Sequence, residues 1–596
     1  MLKGNNDVQL KKNVKEVVIP FYQIWQELVN KKTLDIYQYR ILTSLSALEE
    51  LSIVINKTIK GIFTNDANID ACRLETLYII KQDCILDKYF QGIVSRLKSC
   101  LGNKPKTEAD KNRLLAHVDY AIKEIKPLYE RYVLSDLKDA IMAKNMEKID
   151  CLSNIVASQA ASNGWSEHAM ADLLRYFRDE KNFEEQWELF EAALLDRNKQ
   201  DYDVLIFIPF RNYSSGMEPD TLSILAQLGL NIYHYQELTD KYKDLEDIGS
   251  LLNAEKKYFY VTVKAFDVYS AAHTAIRQIS DQLNMASFYN LVSVWDLSTV
   301  SIVAINCVNR YHKQLKASQL YKTYDYLEGS GNIFKNTKKI FLDEHKKELR
   351  EKLTGSFGYA NISRASLFQE EKYMTLWVAL ESLARTKMYS DIISNVKQTV
   401  PAAMCLRYLY RIVRNYVEDC IRCKVEFKFE KYEIDMKQME KKSLVEQTIH
   451  VFLTPDLYKE LLEKSKVNSL LKYRTETIHD ILYNEKKLRD KIENHHDRVE
   501  WQIQRLYRVR NEIAHAALQN ETSLITYIEH LYDYLATYIT EIVSCISNKN
   551  QETLEEALAC INDNYDVFIE FVKEGKSDFL EKTVIKTGII DIISAR

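Results

Sequence analysis

The chain has 596 residues, 81 of them basic and 85 acidic, for a formal net charge of -4. Total charge therefore gives no ground for a nucleic-acid partner, and any basic surface has to be local. Glycine (14) and proline (7) are scarce, so few turns and long helices are expected, and the length favours three or four domains.

Residues 1 to about 198 read as helix after helix. Val18, Phe21, Ile24, Trp25 and Leu28 form one apolar stripe, and Ile41, Leu45, Leu48, Leu51 and Ile55 form another. Asn163-Gly164-Trp165-Ser166 reads as a helix stop followed by a new N-cap. Near residue 200 the pattern changes. Asp203-Val204-Leu205-Ile206-Phe207-Ile208-Pro209-Phe210 is short, apolar and rich in β-branched and aromatic residues, as a buried strand should be. Further strands are expected at 231–235, 258–263 and 301–305, with Asp267 capping a helix that runs to about Asn284. This small α/β layer carries no Gly-rich phosphate loop, which argues against a nucleotide-handling enzyme. Gly329-Ser330-Gly331-Asn332 reads as a turn between domains.

From about 330 helices return. Glu371 to Leu383 is a near-continuous apolar helix with one carboxylate, Glu381, in its second half. Another helix is expected at 401–422, and a Lys/Glu-rich insertion at 424–497 reads as solvated helices. His495-His496-Asp497 in that charged run reads as a solvated turn rather than a metal site. The ten cysteines are scattered through apolar helical contexts, as suits reduced thiols, and Cys420 and Cys423 form a single CxxC with no zinc-finger partner. The N-terminus lacks the apolar segment of a signal peptide, and no run of about 18 apolar residues occurs, so a soluble cytoplasmic protein is expected.

The most informative stretch is Gln504 to Ala517. It lacks Gly and Pro, and Ile503, Leu506, Val509, Ile513 and Ala517 mark one buried stripe. Set into this helix are Arg510, Asn511 and His515. Positions 511 and 515 are four apart and stack on one face. Arg510 and His515 stand about 140° apart on an ideal helix, a gap that only a long, forked side chain can span. The bare spacing is not diagnostic, because Arg474 to His479 and Arg489 to His495 fit similar gaps. Neither of those pairs has Asn after its Arg. An internal echo, Tyr410-Arg411-Ile412-Val413-Arg414-Asn415, has Asp419 where the motif has His515. The chain thus carries one complete motif.

The pattern Arg-Asn-x-x-x-His within an apolar helix resembles the motif of HEPN-domain ribonucleases. Its surroundings look most like the ApeA-like branch of bacterial abortive-infection and anti-phage proteins. The first HEPN helix of that branch looks like Leu376-Trp377-x-Ala379-Leu380-Glu381-x-Leu383, and the resemblance covers about 360–545. Together with the patterns read along the rest of the chain, this gives the expected organisation of a mainly α, multidomain protein: a helical N-terminal domain (1–198) and a small central α/β domain (199–325) from the sequence pattern, a HEPN-like helical nuclease domain (326–547) from the resemblance, and a C-terminal helical tail (548–596). The resemblance also implies a metal-independent endoribonuclease, a toxin-like effector that uses the RNA 2′-hydroxyl and requires no cofactor. His515 would be the acid or base, Arg510 would hold phosphorane charge, and Asn511 would orient the imidazole or bind the sugar-phosphate. Arg508 and Glu381 would contact substrate. Because HEPN nucleases build a composite cleft from two motif copies, a homodimer or higher even oligomer is expected, with RNA as substrate, a phage-derived trigger or regulatory partner, and no membrane. The competing reading is a non-catalytic HEPN-type RNA-binding or protein-interaction module.

Overall fold

The structure, a computed structural model, describes residues 14–29, 40–63, 65–178, 181–195, 198–208, 218–245, 247–254, 256–289, 297, 300–320, 331–366, 368–430, 432–433, 441–516, 521–549 and 552–573. It divides into two compact units. One gathers residues up to Gln159 with Asp325–Ser366 and everything from Glu370; the other is Ala160–Tyr324 with Leu367–Gln369. The N-terminal helices thus group with the C-terminal ones, and the sheet-bearing unit begins near 160 instead of 199.

The first unit opens with α1 (Ile19–Leu28), α2 (Ser44–Ile59) and α3 (Ala67–Gln82). The stripe expected from Val18 to Leu28 is buried throughout. Thr43 caps α2 reciprocally: its hydroxyl accepts from the Ser46 amide while the Ser46 hydroxyl accepts from the Thr43 amide. With Leu45, Leu48, Leu51 and Ile55 buried, α2 packs on α3 and on the helix Glu108–Ile125.

In the second unit Gly164 takes φ 99°, a turn that glycine accommodates without strain, and Ser166 then caps the next helix by accepting from the Ala169 amide. The strands are β1 (Gln200–Phe207), β2 (Asn231–His234) and β3 (Lys257–Ala265); after α4 (Val268–Phe288) come β4 (Ser301–Asn306) and β5 (His312–Lys316). Their order is β2-β3-β1-β4-β5, and every neighbouring pair is antiparallel. Asp267 caps α4 as expected, accepting from the amides of Tyr269 and Ser270. Alternation along β1 sends Tyr202, Val204 and Ile206 against Ala272, Ile276 and Ile279 of α4, while Leu205 faces Leu238, Tyr242 and Ile248 on the other side. Asp203 lies on that second face. Its carboxylate accepts from Tyr242 (2.8 Å), Tyr260 (2.7 Å) and Thr262 (2.8 Å), three donors that hold its proton affinity down against burial. Pro209 and Phe210, assigned above to the strand, lie outside the described residues, as do Gly329 and Ser330.

The chain returns to the first unit with the helices Gly331–Leu342 and Lys347–Ala365, and after them come α5 (Gln369–Ala384), α6 (Ile392–Arg422), α7 (Ser469–Tyr483), α8 (Glu485–Ala516), α9 (Glu521–Lys549) and α10 (Leu554–Lys573). One core joins Trp377, Leu380, Val400, Ile503, Leu506, Leu531, Tyr538 and Ile561. A second core corrects the reading of 424–497 as solvated. Phe427, Phe429, Leu444, Phe452, Leu471 and Ile478 close over Leu409, Val413 and Tyr416 of α6. The Lys/Glu content covers the outer faces of these helices and hides a narrower apolar stripe. The segment after 548, expected as a helical tail, is helical as far as Lys573 and packs into the bundle: α10 puts Leu558 and Ile561 into the first core and Phe568, Ile569 and Val572 into the second. Among the described residues no helix is long and apolar enough to cross a membrane.

Candidate functional site

The motif lies on α8, and its neighbours fix how α8 is rotated. Ile503 and Leu506 are fully buried in the first core, with Val509 and Ile513 partly buried against it. The Tyr507 ring meets Trp377 of α5 at 5.9 Å between centroids. A second face is ionic. The Gln504 amide donates to Asn68 (2.9 Å), Arg505 Nε lies 2.9 and 3.0 Å from the two oxygens of Glu50, and its Nη atoms reach Glu75. Lys57 of α2 pairs with Glu512 at 2.5 Å. The helix is thus held from two sides, by the bundle and by α2 and α3.

Arg508 belongs to this clamp. It is 5 % exposed, pairs with Glu50, and points Nη1 at Cys72 Sγ, 3.0 Å away. The expectation that Arg508 contacts substrate finds no geometric support, because its charge is already met inside the fold. Two arginines face two glutamates here, so the charges of the buried cluster balance. Burial opposes the charge on Arg505, yet Glu75 more than offsets this and its proton affinity rises. Burial pushes the Cys72 thiol up to about 12 against the pull of Arg505, with Glu75 adding to the rise, so it stays protonated. Tyr527 of α9 is raised for the same reason, although Arg505 and Arg508 pull it the other way.

Arg510 and Asn511 are brought together. Arg510 Nη1 donates to Asn511 Oδ1 at 3.0 Å, while the buried Arg510 Nε has no partner among the described residues. On an ideal helix position 511 stands about 100° from 510, and position 515 about 140°. Asn511 therefore draws the guanidinium around the helix towards the face on which position 515 lies. The expectation for Asn511 was that it orients the imidazole or binds the sugar-phosphate; the contact seen for it among the described residues is this bond to Arg510. His515 is in the last turn of α8, but its side chain lies outside the described residues. Glu381 is half-buried on α5, and no hydrogen bond or ion pair joins it to Arg510 or Asn511 among the described residues.

The competing spacings resolve as structure. Arg474 is buried, with Nη1 2.6 Å from Asp419 and a second bond to Glu27 of α1. Burial raises Asp419 even though Arg474 opposes it, whereas for Glu27 the arginines Arg474 and Arg422 outweigh burial and lower it. In the echo, Arg411 pairs with Asp533 of α9. His495 is no solvated residue. It is buried, stacked on Tyr408 at 3.8 Å, and burial beside Arg498 and Arg411 holds it well below the usual histidine range. His496, Asp497 and Glu500 bring three donor atoms within 4.8 Å of one another, but Glu500 is ion-paired with Lys397 at 3.1 Å, so the group is already compensated without a metal.

Sequence reasoning missed Glu50, Glu75, Cys72 and Lys57. They stand more than 400 residues from the motif in the chain, and no local pattern marks them as its partners. Against known proteins, no family model, no curated protein and no solved structure matches this chain.

Proposed function

We propose that the chain is a metal-independent endoribonuclease of the HEPN type, acting in bacterial anti-phage defence. One observation supports this above the rest: Asn511 Oδ1 accepts from Arg510 Nη1 at 3.0 Å and so holds the guanidinium towards the helix face of position 515. A guanidinium so held matches two phosphate oxygens at once. In the reaction the ribose 2′-hydroxyl loses its proton to a base and attacks the adjacent phosphorus. The P–O5′ bond breaks, leaving a 2′,3′-cyclic phosphate and a 5′-hydroxyl. An imidazole titrates near neutral pH and can take the first proton or return one to the leaving oxygen. One histidine cannot hold both protonation states, which favours a cleft with one motif from each of two protomers. DNA, lacking the 2′-hydroxyl, would not be cut.

The clamp favours a second reading. Arg505 and Arg508, two of the basic residues on the motif helix, are held by Glu50 and Glu75, as in a helix whose charges serve packing. In that case the chain is a non-catalytic interaction module. The two readings separate on incubation of the purified protein with total RNA in EDTA. Cleavage that is lost in both Arg510→Ala and His515→Ala supports the nuclease. Cleavage undiminished in both, or none in the wild type, overturns it.

A further inference from the structure

Outside the motif, two buried thiols are poised for covalent chemistry with each other. Cys545 on α9 and Cys560 on α10 face each other in the first core with their Sγ atoms 3.2 Å apart. A disulfide needs about 2 Å, so roughly 1 Å of approach would complete the bond. The two helices are joined by the short connection 550–553, so they run side by side at this point. The sulfurs are not equivalent. Cys545 is fully buried, whereas Cys560 is 7 % exposed and its Sγ accepts from the Asn564 amide, one turn further along α10, at 3.5 Å. A donor aimed at sulfur favours the thiolate, the form that reacts. The S–H of buried Cys405, by contrast, donates to the Ile492 carbonyl at 3.7 Å, and burial pushes Cys405 and Cys420 far up.

We propose that Cys560 and Cys545 form a redox modification site that hydrogen peroxide converts to a disulfide, tying α10 to α9. The Cys560 thiolate attacks one peroxide oxygen. The O–O bond breaks, and the released hydroxide takes up the proton that Cys560 gave up, leaving a sulfenic acid and water. Cys545 then attacks that sulfur as its thiolate. The S–S bond forms, the S–O bond breaks, and the second hydroxide leaves as water with the Cys545 proton. Two thiols and one peroxide give one disulfide and two waters, with two electrons passing from sulfur to oxygen. Cys560 is the attacking residue because solvent reaches it first; Cys545 resolves. The reduced thiols expected from sequence are thus one of two states at this pair. The assignment rests on the geometry of α9 and α10 and stands or falls apart from the nuclease reading.

The test uses the full chain treated with hydrogen peroxide and then denatured in N-ethylmaleimide before tryptic digestion. Cleavage after Arg510, Lys549 and Lys573 places Cys545 in peptide 511–549 and Cys560 in peptide 550–573. The expected result is one species joining these peptides, about 2 Da lighter than their sum. It should disappear on dithiothreitol treatment and be absent from Cys560→Ser. Both peptides recovered singly alkylated, at a peroxide dose that has already oxidised the exposed Cys84, would overturn the proposal. So would a Cys560 carried to sulfinic acid with no linked species. The wild-type digest decides the matter even if the serine variant fails to fold.

Discussion

The clamp on the motif helix can be tested through Glu50. Its two oxygens take Arg505 Nε at 2.9 and 3.0 Å, and one of them also takes Arg508. Glu50→Gln keeps the shape and removes the charge. Arg505 retains Glu75, but Arg508 loses the carboxylate it pairs with, and the cluster goes from two charges against two to two against one. A buried ion pair broken on one side typically costs ~3–5 kcal/mol, because the remaining charge is left uncompensated in a poorly solvated site. The Glu50 side chain is 18 % exposed, so the lower end, about 3 kcal/mol, is expected. With a urea m-value of roughly 3 kcal/mol/M, that moves the midpoint of the first unit down by about 1 M. The assay is urea unfolding followed by circular dichroism. The informative control is Glu50→Gln with Arg508→Met, which removes both charges and keeps an apolar stem in place. It should recover most of the loss, giving a coupling of at least ~2 kcal/mol. A single variant within 0.5 kcal/mol of wild type, or a double variant in which the two losses simply add, would refute the claim that this cluster is a balanced buried pair of pairs.

Three further outcomes concern the same helix. If RNA is cut, Arg510→Lys should remain crippled by roughly 10²-fold, because an ammonium cannot reproduce the fork, and Asn511→Leu should lose about tenfold while leaving the urea midpoint unchanged; equal activity in Asn511→Leu would show that the 3.0 Å bond does not position the arginine. His495 gives a pH test. Burial holds its folded pKa well below normal, with Arg498, Arg411, Lys491 and His496 adding to the effect. Above about pH 6.5 both folded and unfolded chains carry it neutral and its stability contribution is complete. As pH falls below that, the unfolded chain takes up a proton the folded one refuses, so stability drops by up to ~1.4 kcal/mol per pH unit. Urea midpoints between pH 5.5 and 7.5 should therefore fall towards acid in the wild type and flatten in His495→Phe. An unchanged slope in the variant would sink the assignment.

How much of this was legible in sequence depended on whether the signal was local. The stripe of α1, the Ser166 and Asp267 caps, and strands β1 to β4 were all readable, because a cap needs only its own next three residues and a strand only its own alternation. Strand β5, His312-Lys313-Gln314-Leu315-Lys316, was not. It lies at the sheet edge with one buried apolar side chain, and an edge strand carries no core-facing pattern. The charged insertion misled for the opposite reason. Its helices show solvent a wide Lys/Glu face, and the few apolar positions that build the second core are diluted below notice in the composition. His495 was hidden likewise: flanked by polar residues in the chain, it is covered by Tyr408 from another helix.

The site itself divides along the same line. The Arg510–Asn511 bond joins adjacent residues and follows from a motif that sequence alone picks out. The fate of Arg508 depends on Glu50, 458 positions away, and helical arithmetic pointed the wrong way for it. Positions 508 and 515 do share a face, but sharing a face does not imply sharing a ligand once an earlier helix has claimed one of them. That earlier helix also shows why the two ends of the chain form one unit. An isolated α8 would leave Arg505 and Arg508 solvated and would bury only its apolar stripe. Packing α2 and α3 against it desolvates both guanidinium groups, a step that is tolerable only because Glu50 and Glu75 arrive with them. A fragment beginning at residue 331 would lack both glutamates, and its motif helix would be held from one side only. Such a fragment should therefore cut RNA less well than the full chain even though it retains every motif residue.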